Sequence, residues 1–135
     1  MTRNIVIVGA GRVGRHVAEQ LTAERNVVTV IEQDPTNCEQ VAPAVNRVIE
    51  GDGSDPDVFG QIDLSTVDVV AALTDNTDVN LDICEMASGK NTGGKTILRI
   101  AQDGEQDLAH RHFVDSVVYP ASAGADVALD RITSV

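Results

Sequence analysis

Apolar positions along this chain follow two alternating patterns. Short, nearly continuous runs rich in Val and Ile recur at 4–8, 27–31, 46–50, 67–73, 95–101 and 115–120, and between most of them apolar side chains return every three or four positions. Continuous β-branched runs of that length read as strands buried on both faces. The wider spacing reads as helices with a single apolar stripe. Strand and helix thus alternate, which predicts an α/β fold: a Rossmann-like, doubly wound parallel sheet of six strands, closed by a C-terminal helix.

Breaks and caps refine the pattern. The run Asn4-Ile5-Val6-Ile7-Val8 passes through glycines into a helix with Val13, Val17, Ala18 and Leu21 on one face, and Glu32 closes the second strand. Asp34-Pro35-Thr36 marks a capped helix start, and the helix carries Cys38 and Val41 to about Ala42, before Pro43 stops it. After the third strand, Ser54 or Asp55 caps a helix running through Val58, Phe59 and Ile62. The 67–73 run is the most apolar after the first and should be central; the helix beyond it shows Val79, Ile83, Cys84, Met86 and Ala87 at helical spacing. Residues 88–94 read as a flexible link and 103–113 as a helix bearing His110 and His112. The last helix, 121–135, has Ala125, Ala128, Leu129 and Ile132 on one face, to dock on this sheet or on a second subunit.

Candidate chemistry concentrates where the first strand turns. Gly9, Gly11 and Gly14 are spaced G-x-G-x-x-G. Gly9 permits the sharp turn, Gly11 admits a pyrophosphate where a Cβ would collide, and Gly14 allows the new helix to pack closely. The helix beginning near Arg12 aims its free N–H groups and positive dipole end at the same spot. Glu32 lies at the interval expected of the carboxylate that takes a ribose, and it would repel a 2′-phosphate, favouring NAD or an adenine nucleotide over NADP.

Other strand ends add candidates. Asp52, freed by Gly51 and Gly53, could accept from an adenine amino group or serve only as a turn cap. Thr74, Asp75 and Asn76 bring short polar groups to the same edge, one of which helix capping explains. Arg99 sits among apolar neighbours and needs a carboxylate or a phosphate partner, so an ion pair and a ligand contact are both open. The two cysteines form no C-x-x-C pair and read as buried thiols. The three histidines lack metal-ligand spacing, so no metal site is expected.

Composition narrows the partners. At 135 residues the chain reads as one domain, 1–135, with aromatic content of only 2 %. Its 21 acidic residues against 10 basic ones give a net charge of −11, which argues against nucleic acid and anionic lipid. An Asp-rich, Lys-poor surface of this kind is a halophilic composition, hydrated in concentrated salt and self-repelling when salt is low. The N-terminal apolar run is too short for a signal peptide or a membrane span, so a cytoplasmic location without direct membrane insertion is expected.

Taken together, Gly9-Ala10-Gly11-Arg12-Val13-Gly14, Glu32, Gly51-Asp52-Gly53-Ser54, Thr74-Asp75 with Asn80, Arg99 and Val117-Val118-Tyr119-Pro120 resemble the TrkA-N, or RCK, nucleotide-binding domain of potassium transport regulators. The resemblance covers nearly the whole chain. It implies a cytoplasmic regulatory subunit, not an enzyme, that senses NAD, NADH, ATP, ADP or AMP and acts on a membrane potassium channel or transporter, to which it would be peripheral. By the same resemblance Gly9, Gly11, Arg12, Val13 and Gly14 hold the phosphates and Glu32 the ribose. Asp52 and Gly53 lie at the adenine, Thr74 and Asp75 further along, and Arg99 beyond them. Glu32 departs from the more usual Asp, and no counterpart of the C-terminal lobe of many members is present. Relatives of this type assemble as dimers or larger rings, which makes the final helix the expected contact. The competing expectation is a small NAD-dependent oxidoreductase domain, which would need a proton donor beside the nicotinamide.

Overall fold

The computed structural model describes residues 2–90 and 94–134. Six parallel strands, β1 (Asn4–Val8), β2 (Val27–Glu32), β3 (Arg47–Glu50), β4 (Val69–Ala72), β5 (Lys95–Arg99) and β6 (Ser116–Val118), form one sheet in the order β3-β2-β1-β4-β5-β6. Sequence order reverses between β1 and β4, so the two chains leaving those strands diverge and open a crevice at their carboxyl ends.

Side chains alternate across the sheet, and that alternation divides the core in two. Ile5 and Ile7 of β1 point to one face with Val28, Val30, Val41 and Ala18, under α1 (Arg12–Ala23) and α2 (Pro35–Val41). Val6 and Val8 point to the other with Phe59, Ile83, Cys84 and Leu98, beneath α3 (Pro56–Phe59) and α4 (Thr77–Lys90). Burial on both faces is what the continuous β-branched runs require.

Several boundaries differ from the sequence expectation. Strands β3 to β6 are shorter than their apolar runs. The helix expected through Ile62 is the four-residue α3, because Gly60 ends it, and Ile62 packs from the following turn. Between 103 and 113 only Gln106–His110 is helical, and as a tight 3₁₀ turn. Gly104 there has φ +86°, and the Glu105 carboxylate accepts from the Gln102 N–H (3.1 Å) and from the Thr77 hydroxyl (2.6 Å), the second contact tying the segment to α4. Of the expected link, 88–90 are the last residues of α4, and 91–93 lie outside the described residues. The final helix, α5 (Pro120–Thr133), does not dock on this sheet: it has no buried residue, and Val127, Leu129 and Ile132 are 56, 58 and 71 % exposed.

Candidate nucleotide-binding cleft

Where β1 ends, Gly9 takes φ +99°, a conformation that L side chains rarely adopt, and its N–H donates to the Ile31 carbonyl (2.8 Å). The turn therefore stays latched to β2 while it redirects the chain into α1. Gly14, one turn into the helix, is buried, and a Cβ built there would lie 1.8 Å from the Gly9 carbonyl oxygen. Its role is this backbone-to-backbone contact. Gly11 is different: a Cβ there would meet nothing within 4 Å. It faces open cleft, which is the empty wedge that a close-approaching phosphate requires.

The start of α1 is also chemically vacant. Gly11 is its N-cap and offers no side-chain hydrogen bond, whereas Asp34 caps α2 (2.8 Å to the Thr36 N–H), Asp55 caps α3 (2.9 Å to Asp57 N–H) and Asn76 caps α4 (3.1 Å to Val79 N–H). The first N–H groups of α1 are left for water or an anion.

Glu32 is buried beside this turn. Its Oε1 accepts from the Ala10 N–H (2.7 Å) and more weakly from the Asn37 amide (3.4 Å), and Oε2 accepts from the Asp34 N–H (3.0 Å). A carboxylate presents about four acceptor directions, so one at Oε2 is left for a ligand hydroxyl. Cys38, behind it, donates its thiol to the Glu32 carbonyl (3.2 Å). Burial, with the charges of Glu50, Glu32 and Asp34, pushes that thiol's pKa up. Burial and the charge of Asp115 push Cys84 up to about 12, which favours the protonated thiol in the folded chain.

These elements frame a cleft of about 550 Å³. Of the residues singled out in the sequence, Gly9, Gly11, Arg12, Val13, Glu32, Asp52, Gly53, Thr74, Asp75 and Arg99 line it, and Gly14 stands behind the turn. Their chemistry is not uniform. Asp52 Oδ1 accepts from both the N–H (2.9 Å) and the hydroxyl (2.7 Å) of Ser54, which is the turn cap that local sequence also allowed. The Thr74 hydroxyl donates to Asn80 (2.6 Å), so it is committed to the protein. Arg12 and Asp75 are exposed and without partners among the described residues. Arg99 has no ion pair among the described residues; one terminal nitrogen donates to the Leu73 (3.3 Å) and Thr74 (3.2 Å) carbonyls, and its buried Nε has no acceptor.

Asn76, offered at the same edge, also lines the cleft and caps α4, whereas sequence reasoning passed over Gln33, Asn37 and Val79. Asn37 had a usable signal, since it falls in the first turn of a helix that starts beside Glu32. His16, His110 and His112 are exposed and none lines the cleft. Among the described residues no helix is long and apolar enough to cross a membrane, and no cluster of ligating side chains could hold a metal.

The chain is 34 % identical over 128 residues to a Trk system potassium uptake protein TrkA homolog of Pyrococcus abyssi, an alignment covering 90 % of this chain and 56 % of that protein. It thus spans about half the length of that relative. Among solved structures it is similar to the TrkA-N domain of the inner membrane protein ybaL from Escherichia coli (TM-score 0.84, 22 % identity, 96 % of each chain). The Shewanella denitrificans Kef CTD in AMP-bound form (TM-score 0.79, 20 % identity, 96 % of this chain and 80 % of that one) shares the fold. So does the GsuK channel bound to NAD (TM-score 0.71, 16 % identity, 87 % of this chain and 21 % of that one). With the model of the TrkA-N domain matched across residues 5–120, the chain belongs to the TrkA-N domain family.

Proposed function

We propose that residues 1–135 form one nucleotide-binding unit that senses an adenine nucleotide, NAD(H) foremost, and belong to a regulatory subunit of a potassium channel or transporter. The observation that carries this reading is the open wedge above Gly11, set at the uncapped start of a 12-residue helix and opposite the buried Glu32. A pyrophosphate fits the wedge, a ribose hydroxyl fits the remaining acceptor of Glu32, and an adenine falls toward Asp52 and Gly53. Arg12 and Arg99 supply positive charge along the phosphates and beyond.

Charge favours NAD over ATP. The cleft is lined by Glu32, Asp34, Asp52 and Asp75 against Arg12 and Arg99. Two guanidinium groups match a dinucleotide's pyrophosphate better than a triphosphate. The curated relative is a potassium uptake protein, and structural neighbours are described with NAD and with AMP, which agrees with a nucleotide-responsive role at a membrane transporter. The unit would work in the cytoplasm, held at the membrane by that transporter. Exposed Val127, Leu129 and Ile132 give a second copy a place to pair.

Calorimetric titration with NAD, NADH, ATP, ADP and AMP in concentrated KCl tests the reading, with Gly11→Val as the control. Gly11 has φ −71°, so the substitution costs only about 1 kcal/mol of capping, yet its side chain fills the phosphate position. The expected result is binding by the parent and none by the variant; equal binding by both would refute the site. Turnover of NAD with alcohols or hydroxy acids would instead favour the oxidoreductase alternative.

A further inference from the structure

One buried side chain holds the far wall of the cleft without lining it. Asn80, in the first turn of α4, is fully buried, and all four of its hydrogen-bonding positions are used. Its Oδ1 accepts from the Thr74 N–H (3.0 Å) and hydroxyl (2.6 Å), and its Nδ2 donates to the carbonyls of Thr74 (3.1 Å) and Arg99 (3.0 Å). Thr74 follows β4 and Arg99 ends β5, so a single amide clasps two neighbouring strand ends at the points where each contributes to the cleft. The Arg99 guanidinium closes the circuit by donating to the Leu73 and Thr74 carbonyls, while its Nε lies buried with no acceptor.

We infer that Asn80 is a positioning residue for ligand recognition, fixing where Arg99 meets the part of a nucleotide beyond its first phosphate. The inference rests on the nucleotide reading above. Its geometric basis is the strand order. From Glu32 at the end of β2 to Arg99 at the end of β5 is three strand spacings, roughly 14 Å at about 4.8 Å each. The adenosine half of a ligand lies on the Glu32 side of that span, and only a longer nucleotide reaches the wall that Asn80 holds. A merely structural asparagine would affect every nucleotide alike; a positioning one acts on the long ligand alone.

The test compares NAD with AMP by calorimetry on the parent, Asn80→Ala, Asn80→Asp, Arg99→Ala and the Asn80→Ala/Arg99→Ala double variant, with circular dichroism reporting the folded fraction. Asn80→Asp fits the same space; buried against two carbonyls it keeps its proton, so it retains the Thr74 acceptor contacts and one donor while losing the other, and it carries the test if Asn80→Ala does not fold. The expected result is an affinity for NAD lowered about tenfold, the scale of one charge-assisted contact, with AMP changed by less than about twofold. The double variant should bind NAD no worse than Arg99→Ala, because both act through one contact. Parallel loss of NAD and AMP, no loss of either, or multiplied losses in the double variant would each overturn the inference. Absence of binding by the parent chain would overturn the nucleotide reading itself, and this inference with it.

Discussion

Glu32→Ala removes a carboxylate that the protein uses before any ligand arrives. The Ala10 N–H, buried in the turn after β1, has Glu32 Oε1 at 2.7 Å, and truncation leaves it without that acceptor. An unsatisfied buried donor costs about 1–3 kcal/mol. The Asp34 N–H at 3.0 Å is part-buried and can turn to water, so its loss adds about 1 kcal/mol, and the 3.4 Å contact from Asn37 adds little. The sum is about 2–4 kcal/mol. Unfolding entropy of about 2.1 cal/mol/K per residue gives about 0.28 kcal/mol/K for 135 residues, so 3 kcal/mol lowers Tm by roughly 10 °C. Urea unfolding of the ligand-free chain in concentrated KCl measures this, with m unchanged. Glu32→Gln, which keeps one acceptor for Ala10 but sets a donor against the Asp34 N–H, should fall between. A loss below about 0.5 kcal/mol for Glu32→Ala would refute the view that the carboxylate holds the turn in shape.

Three further outcomes follow from the packing. Gly14→Ala forces a Cβ to 1.8 Å from the Gly9 carbonyl oxygen, a backbone atom that cannot step aside, and should cost about 2–3 kcal/mol or more by urea unfolding. Cys84, raised by burial from 9.0 to about 12, keeps its proton in the folded state where the unfolded chain releases it. Stability from this group is therefore complete below pH 9 and falls from there toward pH 12, by up to about 1.4 kcal/mol per pH unit, and Cys84→Ala should flatten that decline. If α5 pairs two copies as proposed, Leu129→Glu with Ile132→Glu on its exposed face should lower the mass seen by light scattering from dimer to monomer while moving the unfolding free energy by less than about 0.5 kcal/mol, since neither residue touches the core.

The sheet was legible because its signal is strong and local. Val6 and Ile7 of β1, buried on opposite faces, can only be neighbours in a strand covered on both sides, and the run that carries them says so without context. The turn at Gly9 was legible because its glycines fall within six residues, although the groups that latch it, the Ile31 carbonyl and the Glu32 carboxylate, come from β2. The segment from Asp103 to Phe113 was not, because its shape is set by Glu105 reaching 28 residues back to Thr77, a contact that no local spacing encodes. The same holds for the site. Gly11 and Glu32 follow from a motif, but the commitment of Thr74's hydroxyl to Asn80 and the want of an ion pair at Arg99 among the described residues depend on how α4 seats against β4 and β5.

The two halves of the cleft are held by different means, and this bears on what the site can discriminate. Near β1 and β2 the backbone and the buried Glu32 carboxylate do the work: Gly9 N–H to Ile31 O, Ala10 N–H to Glu32 Oε1, and the contact of Gly14 with Gly9 fix the wedge at Gly11 in advance. On the nucleotide reading proposed above, a ligand entering this preformed cradle pays little ordering cost, so affinity there comes from its adenosine half and the phosphates set at Gly11. Near β4 and β5 the wall hangs on Asn80 and on carbonyl contacts of 3.2–3.3 Å from Arg99, with Asp75 exposed beside it. A ligand shifts an equilibrium only by the difference in its affinity for the two states. On the nucleotide reading, ligands that fill the wedge alike are therefore told apart at this second half, and a response that distinguishes them begins with where Arg99 stands.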